Sequence, residues 1–145
     1  MNNPQFWLVV ESQRNWTVDQ QNGFTYFGIG ERNQKLASRI QKGDLIFVYI
    51  PGRGCFSDMR RATHPGVHQL RGGGDYERSY PLCISTEPVL TLGPDNWIPI
   101  HKVKDQMALF RGRDHWAPML QTSLRAIATE DANVLQDAMK SGLAS

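Results

Sequence analysis

Three runs of apolar residues organise this chain. Phe6-Trp7-Leu8-Val9-Val10 follows Pro4 and predicts a strand. Leu45-Ile46-Phe47-Val48-Tyr49-Ile50 has no polar interruption, the pattern of a strand buried on both faces. Leu82 to Leu92 predicts a further long strand, with Pro88 marking a bend or an edge position. Between the first two runs, Leu36, Ala37 and Ile40 recur at helical spacing and predict a helix over about 31–41, stopped at Gly43-Asp44. Pro51-Gly52-Arg53-Gly54 turns the chain into another strand that begins at Cys55-Phe56. Residues 12–30 lack a clean period and read as a long ordered loop, yet they carry Trp16, Phe24, Tyr26 and Phe27. Residues 65–81 read as a loop with its strongest turn at Gly72-Gly73-Gly74-Asp75. Pro94-Asp95-Asn96-Trp97 predicts a short helical turn. Helices are expected over 114–121 and 130–141, the latter with Ala132, Leu135, Ala138 and Met139 on one face. Strand and helix do not alternate regularly enough for a doubly wound sheet. The expectation is a mixed α+β fold: a small curved sheet or open barrel with helices outside it.

Composition narrows the picture a little. At 145 residues the chain is expected to form one domain, with 40% hydrophobic and 21% charged residues, ordinary for a globular protein. No apolar run has the length of a membrane span, and MNNPQFW lacks the basic start of a secretory signal, so the expected location is cytoplasmic with no membrane partner. Cys55 and Cys83 fit that default as free thiols. Net charge is only +2. Arg53 to Arg113 holds nine Lys/Arg against six Asp/Glu, and the chain from Asp114 onward two against four. So small an imbalance describes a mixed solvated surface and points to no partner by itself.

Catalytic and metal-binding patterns are weak. His64 and His68 stand four apart, but Pro65 and Gly66 between them argue against a helix, and no further ligand completes a metal set. The nucleophile and metalloprotease motifs are absent. Gly72-Gly73-Gly74 lacks the Gly-Lys-Ser/Thr of a phosphate loop and reads as a hairpin tip. Asp58, Asp75 and Glu77 supply carboxylates without a pattern that joins them. Neither a metal nor a cofactor is expected. The aromatics are a better lead. Trp7 and Phe47 sit in apolar strands and read as core. Trp16, Tyr26, Phe27, Tyr76 and Tyr80 stand among polar residues, where rings can sandwich a planar base at roughly 1–3 kcal/mol per stacked base. The strand from Phe56 to Arg61 sets Phe56 and Met59 beside two arginines. Arg53, Arg60, Arg61 and Arg78 fall around the loops that would surround such a pocket, which makes them candidates for phosphate contacts.

Several short motifs, taken in order, resemble those of EVE-domain proteins. They are the opening strand with Glu11-Ser12-Gln13-Arg14-Asn15-Trp16; Tyr26-Phe27-Gly28; Lys42-Gly43-Asp44 before the central strand; Gly54-Cys55-Phe56; and Tyr80-Pro81. The resemblance runs from about Phe6 to Leu92, and the tail from Asp114-His115-Trp116 is also similar. EVE domains belong to the PUA-like group and are related to YTH domains. The resemblance implies a single PUA-like domain over residues 1–145, with a curved sheet or open pseudo-barrel flanked by helices. It also implies a non-catalytic module holding one flipped, modified nucleobase of DNA or RNA. Carried over, Ser12, Asn15 and Trp16 would line one side of the pocket, and Tyr26, from the reading of the aromatics, joins the candidate base-binding residues. Phe27 would be a cage wall, and Tyr76 and Tyr80 the opposing one. Phe27 stands where a Trp is usual, and a smaller ring offers less stacking area. Two other readings compete: an enzyme or binding protein in which Arg53, Arg60 and Asp58 handle a small phosphorylated, nucleotide-like ligand, and an interaction scaffold whose aromatics are simply buried.

Overall fold

The computed structural model describes residues 3–70 and 80–143, and these form a strongly curled, open sheet flanked by helices, the mixed α+β architecture expected. The main path of strands runs β2-β6-β4-β3-β1-β8. It is built from β1 (Phe6–Val10), β2 (Tyr26–Ile29), β3 (Leu45–Ile50), β4 (Cys55–Ala62), β6 (Leu82–Thr91) and β8 (Leu124–Ile127). Two short strands join its rim: β5 (His68–Gln69) on β6 and β7 (Ile98–Pro99) on β4. All pairs are antiparallel except β1 with β3.

That parallel pair explains the unbroken apolar runs. A sheet covered on both faces has no solvent side on which polar residues could alternate. Leu8 and Phe47 turn into one core, with Phe56, Met107 and Leu135; Trp7, Val9 and Ile46 turn into another, with Phe27, Ile40 and Ile84. The helix α3 (Thr129–Leu143) seals the first core through Ala132, Leu135 and Met139, all fully buried. Pro88 is accommodated at a register shift, where Arg60 of β4 faces it. The expected turn at Pro94–Asn96 is a single 3-10 turn.

The structure corrects three local expectations and adds a strand. Residues 12–30 are not a loop: they form helix α1 (Gln13–Gln21) and strand β2. The helix expected over 31–41 is only a 3-10 turn (Glu31–Asn33) and one α turn, α2 (Gln34–Ala37). The helix expected over 114–121 is a 3-10 turn, Ala117–Leu120. Strand β8 follows it, a stretch with too few residues to show a period.

Asp44 locks the start of the parallel pair. Gly43 takes φ +93°, a conformation that favours glycine, and turns the chain into β3. The Asp44 carboxylate, 2% exposed as a residue, then accepts from the Trp7 indole N–H at 3.0 Å, the Gln5 N–H at 3.0 Å and the Gln41 N–H at 2.9 Å. Three donors on one buried carboxylate hold the N-terminal strand against the turn. Asp44→Ala leaves the Trp7 N–H buried without its acceptor and is expected to cost about 3 kcal/mol, the scale for a lost bond to a charged group. Trp7→Phe in the Asp44→Ala background should then cost clearly less than in the native chain. Urea denaturation of the four proteins measures the coupling, and additive costs would deny it.

Candidate functional site

A cavity of about 370 Å³ opens where β1 ends and α1 begins. Its size is at the lower end of the ~300–1,000 Å³ usual for small-molecule sites, enough for one planar ring system. Val9, Val10 and Glu11 come from the end of β1 and just beyond, Ser12 and Asn15 from the start of α1, and Gly28, Ile29 and Gly30 from β2 and its end. Arg32 and Asn33 from the following turn, Tyr80 from the approach to β6, and Ser123 from the approach to β8 complete it.

Local chemistry positions these groups. Ser12 caps α1 in an extended conformation, and its hydroxyl accepts the Asn15 N–H at 3.1 Å. Asn15 then lies on the inner side of the first turn, 7% exposed. Tyr80 rests directly on the β2 backbone. A Cβ added at Gly28 would lie 2.6 Å from Tyr80 Cδ2 and 3.0 Å from its Cβ, the least movable part of that side chain. Glycine at this position is what lets the ring lie against the strand.

Behind the cavity is a buried ionic network. The Arg60 guanidinium is fully buried and donates to Asp58 at 2.6 Å, to Asp19 at 2.8 Å and to Glu11 at 3.3 Å. Asp58 also accepts from the Trp16 indole N–H at 2.9 Å and the Ser57 hydroxyl at 2.6 Å. Phe24 covers the guanidinium with its ring centroid 4.9 Å from it. Burial alone would lower the Arg60 pKa; Asp58, Glu11 and Asp19 outweigh it and hold it above its ordinary value. Burial first, and then the negative charge of Asp19, push the Glu11 carboxyl well above the ordinary carboxylate range, while Arg60 opposes them.

Of the residues singled out in the sequence, the structure brings Ser12, Asn15 and Tyr80 into one cavity. Trp16 and Phe27 do not join them. Trp16 is 3% exposed and packs at 4.9 Å from Trp97 and 5.5 Å from Phe24 in one core, whereas Phe27 is 1% exposed in the other. A cage with these two rings as walls is therefore excluded by their burial on separate sides. Tyr26 is half-buried and is not among the lining residues. Tyr76 and Arg78, with the Gly72–Gly74 turn, Asp75 and Glu77, lie outside the described residues.

The arginines divide in the same way. Arg60 is no phosphate ligand, because three carboxylates already hold it in the interior. Arg61 is exposed and paired with Glu87 at 3.1 Å; its register through Leu45 aligns it with Phe6, at the start of β1 rather than the end that forms the cavity. Arg53 is exposed on the β3–β4 turn, stacked 5.0 Å from the Trp97 ring centroid. Arg32, which the sequence reading passed over, is the arginine that lines the cavity, and it is exposed. Glu11, Gly28, Asn33 and Ser123 were also passed over. A signal existed for Gly28, because Gly28-Ile29-Gly30 strips one face of a strand of side chains at the spacing of the pleat.

His64 and His68 meet edge to face at 5.5 Å, and among the described residues no group of three metal-ligating side chains forms. Cys55 and Cys83 are free thiols, both shifted upward by burial. Among the described residues no helix is long and apolar enough to cross a membrane.

Comparison with known proteins places the fold. No protein-family profile matches the chain, and no curated protein matches its sequence. Solved structures do match. The Pho92 YTH domain, solved in complex with m6A, superposes with a TM-score of 0.69 at 11% identity, over 97% of this chain and 85% of that one. The YTH domain of Zygosaccharomyces rouxii MRB1, solved with N6-methyladenosine RNA, gives 0.62 at 11% over 98% and 88%. A hypothetical protein from Leishmania major gives 0.63 at 13% over 96% and 97%. The chain thus has a YTH-like fold.

The ionic network makes stability depend on pH. The folded chain keeps a proton on Glu11 above the ordinary value of 4.5, where the unfolded chain has released it. Its contribution to stability therefore falls as pH rises from about 4.5 through the raised folded value, and levels off beyond it. Glu11→Gln should abolish this part of the decline and leave the variant relatively more stable at the upper end of that range. Melting temperatures across pH 4–9 for both proteins will show it; parallel curves would contradict it.

Proposed function

We propose that this chain is a non-catalytic reader of nucleic acid, of the EVE type within the YTH-like fold, that draws a single modified base into the cavity between β1, α1 and β2. The observation that carries this reading is the seating of Tyr80 on Gly28, facing a cavity one ring system in size with Ser12 and Asn15 on its wall. An apolar ring on one side with polar groups on another suits a planar heterocycle, which needs both stacking and edge recognition. The likeness to YTH domains solved with N6-methyladenosine supports a modified base, and RNA as the first nucleic acid to try. Arg32 supplies positive charge at the rim for a backbone phosphate, and Arg53 and Arg61 serve as outer contacts along the strand. Tyr76 and Arg78, which precede Tyr80 in the chain, lie outside the described residues.

The competing reading, a small phosphorylated ligand handled by Arg53, Arg60 and Asp58, loses two of its three residues to a buried ion pair with each other.

Titration of short single-stranded RNAs, with and without a central N6-methyladenine, tests the proposal. Tyr80→Ala should weaken binding by roughly 1–3 kcal/mol, the worth of one stacked base, and shrink the preference for the modified strand. Arg32→Ala should weaken both strands about equally and reduce the salt slope by about one, the signature of a single phosphate contact. Circular dichroism checks that both variants stay folded. Unchanged affinity in a folded Tyr80→Ala protein would remove the cavity from consideration.

A further inference from the structure

Glu11 lines the cavity but has no part in the reading above. Its backbone N–H donates to the Tyr49 carbonyl at 3.1 Å, which fixes the residue as a continuation of the β1–β3 pairing. Its side chain is 8% exposed. The charged groups that face it are Arg60 and Asp58 from β4 and Asp19 from α1. Three acids around one guanidinium leave two negative charges uncompensated when all are ionised. Such an excess is costly in a buried site, so the cluster retains a proton. Asp58 is the acid with the most donors, since Arg60, Trp16 and Ser57 all donate to it. Arg60 lies closer to Asp19 than to Glu11, at 2.8 Å against 3.3 Å. Glu11 is the acid least supported by the cation, and the raised range of its carboxyl agrees that it carries the proton. Its hydrogen bond to Asp19 draws that proton toward the interior. A protonated carboxyl group has one O–H donor and keeps acceptor capacity besides; the O–H goes to Asp19 and Arg60 takes one acceptor position on Oε1, which leaves further acceptor capacity. What Glu11 offers the cavity is therefore a neutral acceptor, held in place from behind.

Resting on the reading of the cavity as a base pocket, we propose that Glu11 is its specificity residue: its carboxyl oxygen accepts a hydrogen bond from an amino N–H on the inserted edge of the base. A base that keeps at least one amino hydrogen satisfies this acceptor. A base that has lost its last amino hydrogen buries the acceptor without a partner, a loss of roughly tenfold to a hundredfold in affinity.

The test uses single-stranded RNA pentamers that differ only at the central base. One pair carries N6-methyladenine, which keeps one amino hydrogen, or N6,N6-dimethyladenine, which keeps none; a second pair carries N4-methylcytosine or N4,N4-dimethylcytosine. Fluorescence anisotropy on the full chain should show the monomethyl member of at least one pair bound ten times or more tighter than its dimethyl partner. Glu11→Gln keeps a carbonyl acceptor and an N–H for Asp19, and should keep the preference. Glu11→Ala, or Glu11→Met where the smaller side chain unfolds the protein, should bring the two strands within about threefold. Equal binding of both members by the native protein overturns the inference while the base pocket stands. So does a preference that survives in the alanine or methionine variant, because that preference is steric. Absence of binding to all four strands by folded protein overturns the pocket reading and the inference with it.

Discussion

The structure is organised around the buried guanidinium of Arg60. Taking a charge out of water costs several kcal/mol, recovered only where geometry and hydrogen bonding are good. Here the cation is met by Asp58 on its own strand, by Asp19 on α1 and by Glu11 beyond β1. Those partners come from the elements that must converge for the cavity to exist. The network sets how closely α1 approaches the sheet, and with it the place of Ser12 and Asn15. It also explains an unusual backbone. Phe24 has φ +59°, a left-handed conformation that a bulky residue adopts at a cost of about 1–2 kcal/mol. In that conformation its ring covers Arg60, while the Thr86 hydroxyl donates to its carbonyl at 2.6 Å.

The same network explains what was legible in the sequence and what was not. Strands β1 and β3 are plain because their buried residues are apolar, so the apolar runs and the burial coincide, and helix α3 is plain because Ala132, Leu135 and Met139 mark its inner face. Helix α1 is hidden although its buried residues, Asn15, Trp16 and Asp19, stand at helical spacing. Two of them are polar, and a pattern search keyed to apolar residues sees only a polar stretch. Asp58 and Arg60 mislead for a related reason. They stand two apart in a strand, on one face, with opposite charges that neutralise each other; read one residue at a time, Arg60 looks like a surface cation.

Of the residues singled out in the sequence, Ser12, Asn15 and Tyr80 meet at the cavity, whereas Trp16 and Phe27 are drawn into the two cores. Ser12 and Asn15 are paired by a capping hydrogen bond, a local signature that survives folding. An aromatic ring among polar residues has two destinations, and its neighbours in the chain do not choose between them. Trp16 is drawn inward by the Asp58 carboxylate, and Phe27 by the alternation of β2, where Phe27 and Ile29 are buried while Tyr26 and Gly28 are not. Tyr80 stays at the surface because Gly28 gives it a floor.

The position of β8 bears on when the cavity comes into being. This strand pairs with β1, joining Val9 to Leu124, and the Val10 N–H donates to the Ser123 carbonyl at 2.9 Å. The cavity wall thus joins segments more than a hundred residues apart. Closing so long a loop is slow, and during synthesis the earlier strands emerge well before their partner. Until β8 arrives, β1 has one edge unpaired, and an open apolar edge is a site for pairing with other chains. A ribosome-bound chain halted before residue 123 would hold most of its sheet and α1, yet have a pocket open on one side. For this chain, closure of the cavity is a late event of folding.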